Sequence, residues 1–182
     1  LPRRHTARCR IKAHMTSFFT RVAQPDDIDA ICTLSDEAFG LAFNSKDESR
    51  LIRTLQADGD SLLSLAAETD DSRIVGHIEF FRILIDGKPV AAGLGPMSAK
   101  PGLQKTGIGS YLVRTGLEEL DTLGETIVFV LGHDRYYPRF GFEAETAAPF
   151  KAPWSGLHFM AIRLADGGPA AGTLTYPRAF SG

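Results

Sequence analysis

From position 18 onward, short apolar runs alternate with stretches in which apolar residues recur every three or four positions, the mark of strands interleaved with amphipathic helices. Residues 18–22 predict a first strand. Gln24-Pro25-Asp26-Asp27 then opens a helix, with proline in the first turn and acids at the positive end of the dipole. Ile28, Ile31, Leu34, Ala38 and Phe39 form its apolar stripe. Gly40 is the expected stop, followed by an apolar loop over 41–44. A more polar helix is predicted over 47–57.

Strands are predicted next over 62–69, 73–85 and 89–99, the last two joined antiparallel by the Asp86-Gly87 hairpin turn. Gly93, Gly95 and Pro96 interrupt the returning strand. Proline cannot donate to a ladder, so this reads as a bulge or a splayed strand. A broad apolar face at Ile108, Tyr111, Leu112, Leu120 and Leu123 predicts a helix over 107–123, closed by Gly124. The continuous apolar run 126–131 predicts a strand buried on both faces. A short helical piece over 135–140, a strand near Phe142 and a last strand over 157–164 follow. Residues 173–180 read either as an extra β segment or as a dimer contact, which leaves a homodimer open. The order β-α-α-β-β-β-α-β-α-β-β predicts a single α/β domain built on one mixed sheet.

Composition narrows the class of protein. The chain has 182 residues, enough for a substantial core. It has no apolar run near the length of a membrane span, so a cytoplasmic protein without a membrane partner is expected. Its two cysteines, Cys9 and Cys32, make neither a disulfide framework nor a cysteine metal site, and no metal is expected. The net charge of −2 is uneven: residues 1–14 carry five basic residues and no acid, leaving −7 for residues 15–182. An acidic body argues against nucleic acid as a partner. Residues 1–14 predict a disordered basic leader, its place in the native protein open, ahead of a domain over 15–182.

The stretch Gln104-Lys105-Thr106-Gly107-Ile108-Gly109-Ser110 carries the chemistry. A glycine-rich turn between a strand and a helix leaves backbone N–H groups free for an anion, with Lys105 adding charge. The Walker spacing is absent, and so is the third glycine of a dinucleotide fingerprint. An ordinary strand-to-helix turn is the alternative. The spacing resembles the Gln/Arg-x-x-Gly-x-Gly/Ala signature of the GNAT superfamily of N-acetyltransferases. Tyr136-Tyr137-Pro138-Arg139-Phe140-Gly141-Phe142 is similar to that family's Tyr-x-Lys/Arg-x-Gly-Phe segment. Preceded by Val130-Leu131-Gly132, it resembles a bacterial subgroup of predicted N-acetyltransferases with poorly defined substrates.

The resemblance implies the acyl-CoA N-acyltransferase fold, a mostly antiparallel sheet with a splayed central strand and flanking helices. It implies acetyl-CoA as co-substrate, its pyrophosphate held by Gln104, Lys105, Thr106, Gly107, Ile108, Gly109 and Ser110. Met97, Ser98 and Ala99 would pair through their backbone with the pantetheine arm and stabilise the thioester oxygen. Transfer to a primary amine of a small molecule or peptide, by direct attack in a ternary complex, is the implied reaction. Tyr137 is the implied acid for the departing thiolate, with packing against the sheet as its alternative. The family's Asn before that tyrosine is missing, and Gly132-His133-Asp134 stands in its place. For the base, strand alternation puts His77 and Glu79 on one face, within reach of a cleft through a water, and Glu68 is a third candidate. A non-catalytic acyl-CoA sensor on the same fold is the rival reading. Residues 39–43, the second helix and residues 150–157 with Trp154 are the expected substrate-selecting regions.

Overall fold

The computed structural model describes residues 8–10, 17–43 and 47–181. Its elements run β1 (Arg8–Arg10), β2 (Ser17–Val22), α1 (Ile28–Phe43), α2 (Asp47–Asp58), β3 (Ser61–Thr69), β4 (Ile74–Ile85) and β5 (Lys88–Ala99). They continue as α3 (Ile108–Thr122), β6 (Ile127–Leu131), α4 (Ala144–Ala147), β7 (Phe150–Lys151), β8 (Phe159–Arg163) and β9 (Gly172–Thr175). A single sheet in the order β1-β2-β3-β4-β5-β6-β8 forms the centre, and β9 joins the end of β4 and pairs with β7. The pairings along that path are antiparallel except β5 with β6, which is parallel. This is the mixed, mostly antiparallel sheet with flanking helices that the resemblance implies.

The helices cover the sheet on two sides. Strand alternation sends Ile78 and Phe80 toward α3, where they meet Ile108, Leu112, Val113, Leu117 and Leu120 in one buried cluster. Close approach is built into that layer: a Cβ on Gly76 would stand 2.4 Å from Ile108, and one on Gly116 would stand 2.2 Å from Phe80. A second cluster joins Leu55 of α2 to Phe81, Ile83, Ile127, Phe129, Phe150 and Phe159. Burying such aromatic and branched side chains contributes about 1.5–3 kcal/mol each.

Several boundaries differ from expectation. α1 continues through Gly40 to Phe43, where a stop and a loop were expected, while Asn44 lies outside the described residues. A glycine ends a helix by turning to positive φ, and Gly40 is not among the glycines that do so. The strand expected near Phe142 reduces to one bridge, in which Glu143 and Ala161 exchange backbone hydrogen bonds of 2.9 and 3.0 Å. Of the expected disordered leader, Arg8–Arg10 instead form an edge strand on β2, with Arg8 opposite Phe19. The rest of residues 1–14 lie outside the described residues. The Asp86-Gly87 turn is as expected, with both residues at positive φ, as a tight hairpin of this hand requires.

The disturbed strand is the feature that positions the site. Along β4 and β5, Ile78 pairs with Met97 and Phe80 with Leu94, so Gly95 and Pro96 bulge opposite Glu79. β5 and β6 then pair only at Ala92–Val128, Gly93–Phe129 and Leu94–Val130. Beyond Leu94 the two strands part, and the gap between them opens a cleft.

Candidate active site

The cleft has a volume of about 1220 Å³. Its walls come from the bulged end of β5, the turn before α3, the end of β6, the segment 132–139 and the α1–α2 layer. At one end the backbone N–H groups of Thr106 to Ser110 donate to no partner among the described residues, as the first turn of a helix requires. The Thr106 hydroxyl donates to the Leu103 carbonyl and closes the turn. Gly107 adopts φ 102° and Lys105 φ 63°, so the backbone here is held in a conformation that presents successive N–H groups outward. Lys105, Arg135 and Arg139 line the cleft and supply positive charge within an otherwise acidic body.

Met97, Ala99, Gln104, Lys105, Gly107, Gly109 and Ser110 all line the cleft, as their expected role demands. Three residues expected beside them do not. Ile108 is buried in the core under Gly76, so only its backbone faces the turn. Thr106 is used to close the turn, and Ser98 is buried opposite His77 on β4.

Tyr137 lines the cleft from a 3₁₀ turn, Tyr137–Phe140, whose proline at the second position fixes the local φ. The residue is buried, and no described residue hydrogen-bonds its hydroxyl. Burial, aided by Tyr136, pushes the phenol above its ordinary range, so it keeps its proton. Its ring packs on Phe142 at 5.7 Å and on Tyr136 at 5.1 Å. Tyr136 reaches the other way: a Cβ on Gly109 would stand 2.9 Å from its hydroxyl, which places that group beside the first turn of α3. Arg139 lies 4.3 Å above the Tyr136 ring and donates to the Tyr136 carbonyl at 3.1 Å. It thus braces the turn and also faces the cleft.

The base candidates sit elsewhere. His77 and Glu79 are fully buried and do not line the cleft. His77 Nε2 lies 2.9 Å from the Ser64 hydroxyl and 3.4 Å from Glu79, which also accepts from Ser61. The expected route through one water to a cleft is therefore replaced by a polar seam between β3 and β4. Glu68 is held by Arg21, which also pairs with Asp27 at 2.5 Å.

The opposite end of the cleft is aromatic. Phe39, Leu51 and Trp154 come from the regions expected to select substrate. Tyr176 and Phe180 join them, although the sequence offered only an extra strand or a dimer contact there. Glu48, at the start of α2, is the acid at this end that sequence reasoning missed. Its position in the first turn of a polar helix looks like ordinary dipole stabilisation, so nothing in the sequence marks it.

The sheet thus splits between two parallel strands, with free backbone N–H groups at a helix start on one side of the split and a buried tyrosine in its wall. Residues 20–144 match the family model described as the acetyltransferase (GNAT) domain. The uncharacterized N-acetyltransferase YjhQ of Escherichia coli is 38% identical over 135 residues, 71% of this chain and 70% of the relative. A GNAT family acetyltransferase from Brucella melitensis, solved in complex with acetyl-CoA, is 33% identical with a TM-score of 0.76, covering 90% of this chain and 97% of that one. Escherichia coli YhbS, solved in complex with CoA, is 28% identical with a TM-score of 0.82, covering 97% of this chain and 96% of its own. The chain belongs to the GNAT family of N-acetyltransferases. YhbS and YjhQ are bacterial relatives of the kind the Tyr-Tyr-x-Arg-Phe-Gly-Phe segment suggested.

Proposed function

We propose that the protein transfers the acetyl group of acetyl-CoA to a primary amine by direct attack in a ternary complex. The observation that carries this reading is the cleft itself, which runs from the free N–H groups before α3, past Tyr137, to the aromatic end. The pyrophosphate would lie on the backbone of 106–110 with Lys105 beside it, and the pantetheine arm along 97–99. Gly107 fits such a group, because nothing stands within 4 Å of a Cβ position there. Backbone N–H groups at the bulge would meet the thioester oxygen as negative charge develops on it.

The neutral amine attacks the carbonyl carbon, and the C–S bond breaks as Tyr137 donates its proton to the leaving thiolate. The new amide nitrogen sheds its extra proton to water, and the Tyr137 phenolate regains a proton from solvent. A protonated phenol is what that step requires, and burial keeps Tyr137 protonated. No step uses His77 or Glu79. The test follows thiol release on mixing the protein with acetyl-CoA and an amine panel, with CoA affinity measured separately by calorimetry. Turnover with at least one amine is expected. Tight CoA binding with no turnover across the panel would overturn transfer and leave an acyl-CoA sensor.

A further inference from the structure

The aromatic end of the cleft combines two features that recognise one chemical class. Phe81, Trp154, Tyr176 and Phe180 all line it and pack on one another. Phe81 and Phe180 rings lie 4.6 Å apart, Tyr176 and Phe180 5.5 Å, and Trp154 and Tyr176 4.7 Å at 86°. Interlocked rings of this kind form a rigid apolar wall and leave π faces for a cation or a second ring. Phe81 is fixed in turn by Gly93, where an added Cβ would stand 2.3 Å from its ring.

Facing the same space is Glu48. One of its carboxylate oxygens is sealed from solvent and has no hydrogen-bond partner among the described residues. Asp27, Glu68, Asp58 and Glu125, by contrast, are each held by an arginine. A half-buried carboxylate without such a partner is costly, and a cation arriving in the cleft offsets that cost. Of the cationic side chains lining the cleft, Lys105 lies in the glycine turn and Arg139 over the Tyr136 ring beside it.

We propose that Glu48 and this aromatic wall form the acceptor pocket, selective for a primary ammonium borne on an apolar, aromatic body. This rests on the acetyl-transfer reading for its biological meaning, although the pocket is testable without it. The proposal concerns recognition alone, and the nitrogen still gives up one proton to water before it attacks. Amines carrying a carboxylate beside the nitrogen are disfavoured, because Glu48 repels that group.

The test uses the full chain saturated with CoA and calorimetric titration at neutral pH. The probes are 2-phenylethylamine, which is cationic, and 2-phenylethanol, its neutral counterpart. The native protein is expected to bind the amine at least about tenfold tighter than the alcohol, as one charge-assisted contact provides. Glu48→Gln should erase that gap while leaving alcohol and CoA affinities within about twofold. Trp154→Leu should weaken both probes alike. A gap that survives in Glu48→Gln, or a native protein that binds both probes equally or neither, overturns the pocket. Thiol release is read in parallel: a gap erased by Glu48→Gln without turnover sinks acetyl transfer and leaves the pocket standing. Turnover of other amines with no gap does the reverse.

Discussion

The ring of Tyr137 lies against the α-carbon of Gly132, so closely that a Cβ there would stand 2.3 Å from Cε2. Gly132 is pinned in turn, donating to the His158 carbonyl at 2.9 Å and accepting from the His158 ring at 3.1 Å. The tyrosine occupies the space that any side chain at position 132 would need. Gly132→Ala should therefore displace Tyr137, lowering kcat by about tenfold or more, and cost about 1–3 kcal/mol of stability from overpacking. CoA affinity should change little. Steady-state thiol release with calorimetry checks this, and an unchanged kcat would detach Tyr137 from the chemistry.

Tyr137 and Tyr176 are both held above the ordinary tyrosine range by burial. In each case the folded value exceeds the unfolded one. Their contribution to stability is whole below about pH 10, where the unfolded chain still holds these protons, and is lost as pH rises through the folded values. Denaturant titrations from pH 8 to 11 should show stability constant at first and falling above about pH 10. Tyr176→Phe should shallow that alkaline fall. The rate should likewise show no alkaline loss from Tyr137 below about pH 10, whereas Tyr137→Phe lowers kcat at every pH.

Lys105 combines a strained backbone with a charge at the anion site. Lys105→Gly should raise stability by up to about 1 kcal/mol through relief of the positive φ. The same substitution should weaken CoA binding several-fold, more at low salt than at high. Opposite signs in thermal melting and CoA titration are the expected result, and equal CoA affinity would remove Lys105 from the cradle.

The buried His77–Glu79 seam predicts a stability effect without a rate effect. Glu79→Ala removes the acceptor of the Ser61 hydroxyl and the carboxylate beside His77 inside the protein, and should cost about 3 kcal/mol. Measured below its melting range, the variant should keep kcat within a few-fold of the native protein, with the same pH profile. A lost acid limb in that profile with an unchanged melting temperature would return the pair to the proton path.

The fold was legible because its signals are local. Period-two and period-3.6 patterns, the Asp86-Gly87 turn and the glycine turn at 104–110 each report on a few neighbouring residues, and the order of elements followed from them. The bulge at Gly95-Pro96 was legible for the same reason, since proline and glycine state their backbone needs outright. Gly40 misled because a glycine permits a helix stop without enforcing one.

The site divides along the same line. The residues of the glycine turn at 104–110 are contiguous, so the turn was legible in the sequence, together with Tyr137 and its motif. His77 and Glu79 share a strand face, as alternation requires, but alternation does not say whether that face opens on a cleft or lies beneath a helix. The aromatic end of the cleft is assembled from α1, α2, β4, the 150s loop and the segment after β9. Glu48, Phe81, Trp154, Tyr176 and Phe180 are far apart in the chain, and only the parting of β5 from β6 and the packing of α2 against the sheet bring them to one space. Local preference chose each element; long-range packing chose which side chains line the gap between them.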